Sequence, residues 1–142
     1  TLVLDLRQSL AFDDADDEYT LTPRLRATRT GDAARIEGNV AVTCPAGTSL
    51  ATGGAVYLFK GRDVDPDDID GAGVEPFATT AVVDDGFGEF RYALRFLPSG
   101  NYTIALTCRG DEDVVGESGG LDFRNVGNVQ LDDGEVLQRD LD

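Results

Sequence analysis

The sequence predicts an all-β protein, a seven-stranded antiparallel Greek-key sandwich with an additional amino-terminal β-hairpin. Three observations carry that reading. Apolar and polar side chains alternate at a period of two, most clearly across Phe90, Tyr92, Leu94 and Phe96 and again across Tyr102, Ile104, Leu106 and Cys108. Turn signals such as Gly53-Gly54, Asp85-Gly86, Pro98-Ser-Gly100, Gly119-Gly120 and Asp133-Gly134 punctuate the alternating runs. No segment of about ten residues or more keeps a helical period.

The first strand sets Leu2, Leu4 and Leu6 against Val3, Asp5 and Arg7. After the acidic link Asp13–Glu18 a second alternation sets Tyr19, Leu21, Leu25 and Ala27 against Thr20, Thr22, Arg24 and Arg26, and Pro23 marks it as an edge strand. Residues 1–34 thus form a hairpin, which must pack on something because two strands alone are marginal. It is also readable as the end of an upstream domain. The Thr30–Ala34 link is short, which keeps the hairpin near the main body.

Residues 35–142 hold the sandwich, with strands expected near 35–44, 54–60, 76–83, 89–97, 101–108, 121–131 and 135–141. In the strand Ala55–Lys60, Val56 and Leu58 occupy one face while Tyr57 and Phe59 occupy the other. One face belongs in the core. The other is either covered, with the hairpin as the nearest candidate, or leaves two aromatics partly exposed.

Cys44 continues the parity of Ile36, Gly38, Val40 and Val42, and Cys108 that of Ile104 and Leu106. Both sulfurs therefore point inward. In an oxidising compartment such a pair forms a disulfide, Cys44–Cys108; in a reducing one it is two buried thiols.

Acidic residues number 27 against 12 basic ones, a net charge of −15, and aspartates outnumber glutamates 20 to 7. A surface this negative repels phosphate backbones, so nucleic acid is excluded as a partner. The excess fits adaptation to high salt or a cluster built for cations. No stretch is apolar enough to cross a membrane in this fragment. The chain opens at Thr1 without methionine, which leaves any targeting signal out of view.

There is no histidine. That removes Ser-His-Asp and Cys-His triads, histidine-ligated zinc and histidine general bases, so no catalytic residue and no cofactor is assigned. The loop Gly61–Glu75 carries six carboxylates. Asp63, Asp65 and Asp67 have the alternate spacing that suits calcium, but Asp68 stands where an EF-hand needs glycine and no glutamate closes the frame. A solvated acidic loop explains the same residues, and no metal ligand is assigned. Lys60, the single lysine, shares the parity of Val56 and Leu58, which raises an intramolecular isopeptide bond to Asn125 or Asn128 beside the plainer reading of an exposed strand-end lysine.

Several of these segments come in a familiar order. Ala55-Val-Tyr-Leu58, the run Thr79-Thr-Ala-Val-Val-Asp-Asp-Gly-Phe-Gly-Glu-Phe90 and Leu97-Pro-Ser-Gly-Asn-Tyr-Thr-Ile104 resemble the signature of carboxypeptidase regulatory-like, or transthyretin/prealbumin-like, sandwich domains. Residues Leu2–Leu6 and Tyr19–Leu25 resemble, more weakly, the closing strands of a bacterial lipoprotein-associated domain of unknown function. The resemblance implies a prealbumin-like sandwich, a periplasmic or extracellular location, and anchoring at the cell envelope through a region before Thr1. It implies a noncatalytic structural or interaction module with a protein or glycan partner. The alternative is a carbohydrate- or peptide-binding module, stabilised by calcium in one version. Some transthyretin-like proteins are hydrolases, but the histidines which that chemistry needs are missing here.

Overall fold

A computed structural model describes residues 1–142. Its strands are β1 (Leu2–Leu4), β2 (Leu10–Asp13), β3 (Glu18–Leu21), β4 (Leu25–Ala27), β5 (Ala34–Val40), β6 (Ala55–Lys60), β7 (Ala78–Ala81), β8 (Val83–Asp84), β9 (Phe90–Leu97), β10 (Gly100–Thr107), β11 (Phe123–Leu131) and β12 (Val136–Gln138). One short helix, α1 (Leu50–Gly53), precedes β6 and is capped by Ser49, whose side chain accepts from the Thr52 N–H. The all-β reading holds.

Two four-stranded sheets make the body, in the orders β11-β10-β6-β7 and β12-β5-β9-β8. Alternation supplies the apolar layer between them: Ile36, Leu58, Leu94, Ile104 and Leu106 are at most 1 % exposed. Each contributes about 1.5–3 kcal/mol of apolar burial.

The strand pattern departs from the sequence reading in three ways. The run 76–83 divides at Val82, so that β7 pairs with β6 in the first sheet and β8 with β9 in the second. Phe96 does not join Phe90, Tyr92 and Leu94 on the inner face. A bulge where β9 meets β5 puts Phe96 at φ 56, 42 % exposed, and turns Leu97 inward instead. One extra residue inverts every later side chain, and the composition of the strand does not announce it.

The third departure concerns pairing: the sandwich is not wholly antiparallel. The Asp132–Glu135 turn carries the chain across to the other sheet, where β12 lies parallel to β5 with Val136 opposite Arg35. Backbone bonds extend this ladder, from Arg35 N–H to the Glu135 carbonyl (2.8 Å) and from Leu141 N–H to the Asn39 carbonyl (2.9 Å). Gly38 makes the approach possible, because a Cβ there would collide with the Arg139 carbonyl. The Tyr92 hydroxyl donates to that same carbonyl at 2.6 Å.

The amino-terminal hairpin exists as a bent ribbon. β2 pairs with β3 next to the turn, and β1 pairs with β4 farther out, with Leu10 opposite Leu21 and Leu4 opposite Leu25. Between the two ladders, residues 5–9 lie against residues 22–24, and the surplus is taken up by a turn in which the Ser9 and Leu10 N–H groups donate to the Leu6 carbonyl. A surplus of about two residues preserves parity, so the leucines of both ladders stay on one face.

Candidate interaction surfaces

The second face of β6 is fully covered. Tyr57 and Phe59 are 0 % exposed and form an outer apolar cluster with Ala55, Ala105 and Ile69, against which Val64, Val115, Leu121 and Phe123 pack. The Phe123 ring stands edge-on to Tyr57 at 5.2 Å and to Phe59 at 6.2 Å. Of the amino-terminal hairpin only Arg7 reaches this face, its guanidinium 5.7 Å from the centre of the Tyr57 ring. The apolar cover is made by the acidic loop after β6 and the segment 109–122 after β10, which supply Val64, Ile69, Val115 and Leu121 between them.

Carboxylates hold these two loops down. Asp68, 1 % exposed, accepts from the backbone N–H of Gly119 (2.5 Å) and of Gly120 (2.9 Å). Asp113 accepts from the Ile69 N–H at 3.2 Å and, through its other oxygen, from the Tyr57 hydroxyl. Asp63 accepts from Asn128 Nδ2 at 2.6 Å, and the Asp63 N–H donates back to Asn128 Oδ1 at 2.8 Å. Burial raises the Tyr57 pKa far above the phenol range; Arg7 opposes the shift and the bond to Asp113 adds to it. Burial likewise raises Glu75, while the Gly71 N–H on its carboxylate opposes.

The calcium reading of the loop does not gather its ligands. Asp63, Asp65 and Asp67 fail to converge, and no group of three or more acidic or thiol side chains is placed to hold a metal ion. The isopeptide reading fails for a similar reason. Lys60 Nζ sits 4.2 Å from the centre of the Phe77 ring, Asn128 is engaged by Asp63 and Thr103, and Asn125 donates to the Asp142 carbonyl.

Cys44 and Cys108 are bonded, with Cα atoms 5.8 Å apart. Cys44 lies in the loop beyond β5, not on a strand, and Cys108 directly follows β10, so the bridge joins one end of each sheet. On the chain-entropy account a loop of this length stabilises the fold by about 4 kcal/mol.

The ribbon is fastened by its polar side. The Asp5 carboxylate accepts from the Thr79 N–H and hydroxyl, both at 3.0 Å, and from Gln8 Nε2 at 3.0 Å, with Arg26 at 3.6 Å. Arg26 is nearly buried there, and burial lowers its basicity while Asp5 opposes. Arg7 donates to the Tyr57 hydroxyl (3.0 Å) and to the Gly110 carbonyl (2.5 Å), and the Thr28 hydroxyl donates to the Phe96 carbonyl (2.8 Å). In the sequence, Asp5 and Arg7 stand on a strand face with no evident role. The signal was there, since a polar face opposite a leucine face must also meet something.

Two further surfaces stand out. Along the outer face of the second sheet runs a polar groove of about 570 Å³, lined by Glu37, Asn39, Thr80, Arg91, Arg95 and Gln138. At the β8–β9 turn, Phe87 is 92 % exposed, and Asp85 holds the turn by accepting from the Phe87 and Glu89 N–H groups.

These features define a disulfide-linked all-β sandwich whose buried carboxylates serve its own fold. No protein-family model matches the chain, and no curated protein matches it either.

Proposed function

We propose that the chain is a noncatalytic structural or interaction module of a bacterial cell-envelope protein. In this reading it is a carboxypeptidase regulatory-like sandwich with Greek-key connectivity, carrying an amino-terminal hairpin that resembles the last strands of a lipoprotein-associated domain. The observation that carries the location is the Cys44–Cys108 disulfide, since such a bond persists in an oxidising compartment. The strand that changes sheets between β7 and β8, and the quoted turn motifs at Asp84–Phe90 and Leu97–Ile104, support the family reading. The structural role is supported by where the polar groups go: Asp5, Asp63, Asp68 and Asp113 each hold one segment of the chain to another. The test is fractionation of the producing bacterium with non-reducing electrophoresis of the native protein. Recovery of the oxidised form from the envelope or the medium is the expected result; a reduced cytosolic pool overturns the reading.

One observation favours the carbohydrate- or peptide-binding alternative, the groove on the second sheet. Its lining combines the amides of Asn39 and Gln138, the Glu37 carboxylate and the guanidinium groups of Arg91 and Arg95, which suits hydroxyl-rich or amide-rich ligands. Titration of labelled protein with neutral oligosaccharides and with short peptides decides it. Shifts confined to Asn39, Ala93 and Gln138 favour binding, and shifts spread evenly or absent favour the structural role.

A further inference from the structure

We infer that the outward face of the amino-terminal ribbon is the seam of a homodimer, in which a second copy of the chain stacks its own ribbon antiparallel across a two-fold axis. The ribbon is inverted relative to an ordinary surface hairpin. Its polar residues Asp5, Arg7 and Arg26 are turned toward the sandwich, while its large apolar side chains, the half-buried Val3 excepted, are exposed. Leu2, Leu25, Leu21 and Tyr19 are 67, 57, 53 and 69 % exposed, with Leu4, Leu10 and Phe12 beside them at 42, 43 and 38 %.

Three properties select a second copy as the occupant. First, the stripe is self-complementary. Leu4 lies opposite Leu25, Leu10 opposite Leu21 and Phe12 opposite Tyr19, so a row of paired apolar side chains meets an identical row when rotated onto itself. Second, the area is sufficient. Five leucines and two aromatics, 38–69 % exposed, together present of the order of the ~800 Å² per partner that a standard interface buries. Third, charge fixes the direction. Five carboxylates, Asp13, Asp14, Asp16, Asp17 and Glu18, crowd the ribbon's turn, while Arg29 stands at its base, just past β4. Antiparallel stacking separates the two acidic turns and brings each toward the other copy's Arg29; parallel stacking would press the turns together.

Sedimentation and light scattering of the chain over a concentration series test this. The expected mass is twice 15.1 kDa, with Leu21→Arg and Leu25→Arg each weakening association at least tenfold while circular dichroism stays native. Because each copy carries −15, added sodium chloride is expected to tighten the dimer. A single cysteine reports the direction: Pro23→Cys, near the two-fold axis, links copies on oxidation, whereas Tyr19→Cys, near the turn, does not. A single-chain mass at every concentration and salt overturns the inference, as it would if another protein or another segment of the polypeptide covers this face. A dimer indifferent to both arginine variants overturns it, and so does preferential linkage through Tyr19→Cys.

Discussion

The acidic loop after β6 and the leucine-rich ribbon before β5 are two candidate covers for one apolar sheet face, and each occupies the place its composition suited to the other. The loop, with six carboxylates, is pressed onto Tyr57 and Phe59. The ribbon, with leucine at every second position of β1, leaves its leucines in solvent and anchors through Asp5 and Arg7. Average polarity does not decide which segment covers a core. Val64 and Ile69 are enough apolar surface for the loop once its carboxylates accept hydrogen bonds from backbone N–H groups that burial would otherwise strand.

The largest effect is expected from truncating the aromatic beneath the loop. Phe59→Ala is expected to cost about 4–5 kcal/mol by denaturant unfolding, because the ring is enclosed on all sides. A loss below about 1 kcal/mol would mean that the loops do not seal the cluster. Reduction of Cys44–Cys108, or Cys44→Ala with Cys108→Ala, should remove about 4 kcal/mol. The ribbon is tested by Asp5→Ala, which strands Arg26 and the Thr79 N–H. About 3 kcal/mol is expected, with limited proteolysis then cutting first within residues 1–30. If the body unfolds before the ribbon is cut, the two regions form one cooperative unit.

The alkaline limb reads the loop side again. The folded chain keeps the Tyr57 proton, whereas the unfolded chain releases it near pH 10.0, so stability is expected to fall as pH rises through and above that value. Tyr92 and Tyr102, also raised by burial, act in the same direction. In Tyr57→Phe the decline should be shallower, and an unchanged slope would remove Tyr57 from the account. The smallest effect is that of ions. The melting temperature should rise by a few degrees between dilute and molar sodium chloride as carboxylate repulsion is screened, and calcium should do no more than magnesium at equal ionic strength. A stoichiometric calcium step in calorimetry would reinstate a site in the acidic loop.

Much of the sandwich was legible, because alternation is a local consequence of strand geometry and Ile36, Leu58, Leu94 and Ile104 obey it. The disulfide was legible as well, although Cys44 lies past the end of β5: the inward alternation runs on through Val42 and Cys44, which still pack against the core. What failed depends on single residues or on distant partners. The bulge at Phe96, the change of sheet at Val82 and the parallel docking of β12 are settled by contacts far along the chain. The candidate surfaces were less legible still. A run of aspartates has the same appearance whether it faces water, a cation or a buried N–H, and only the position of Gly119 and Gly120 assigns Asp68 to the last.

The parallel ladder between β5 and β12 bears on how the body carries tension. β5 begins at Ala34 and β12 with its extension finishes at Leu141, side by side and pointing the same way. A pull that drags the start of β5 and the end of this last segment apart slides one strand along the other. The hydrogen bonds from Arg35 to Leu141 then share the load together instead of opening one after another like a zip. Such a geometry resists stretching far better than peeling.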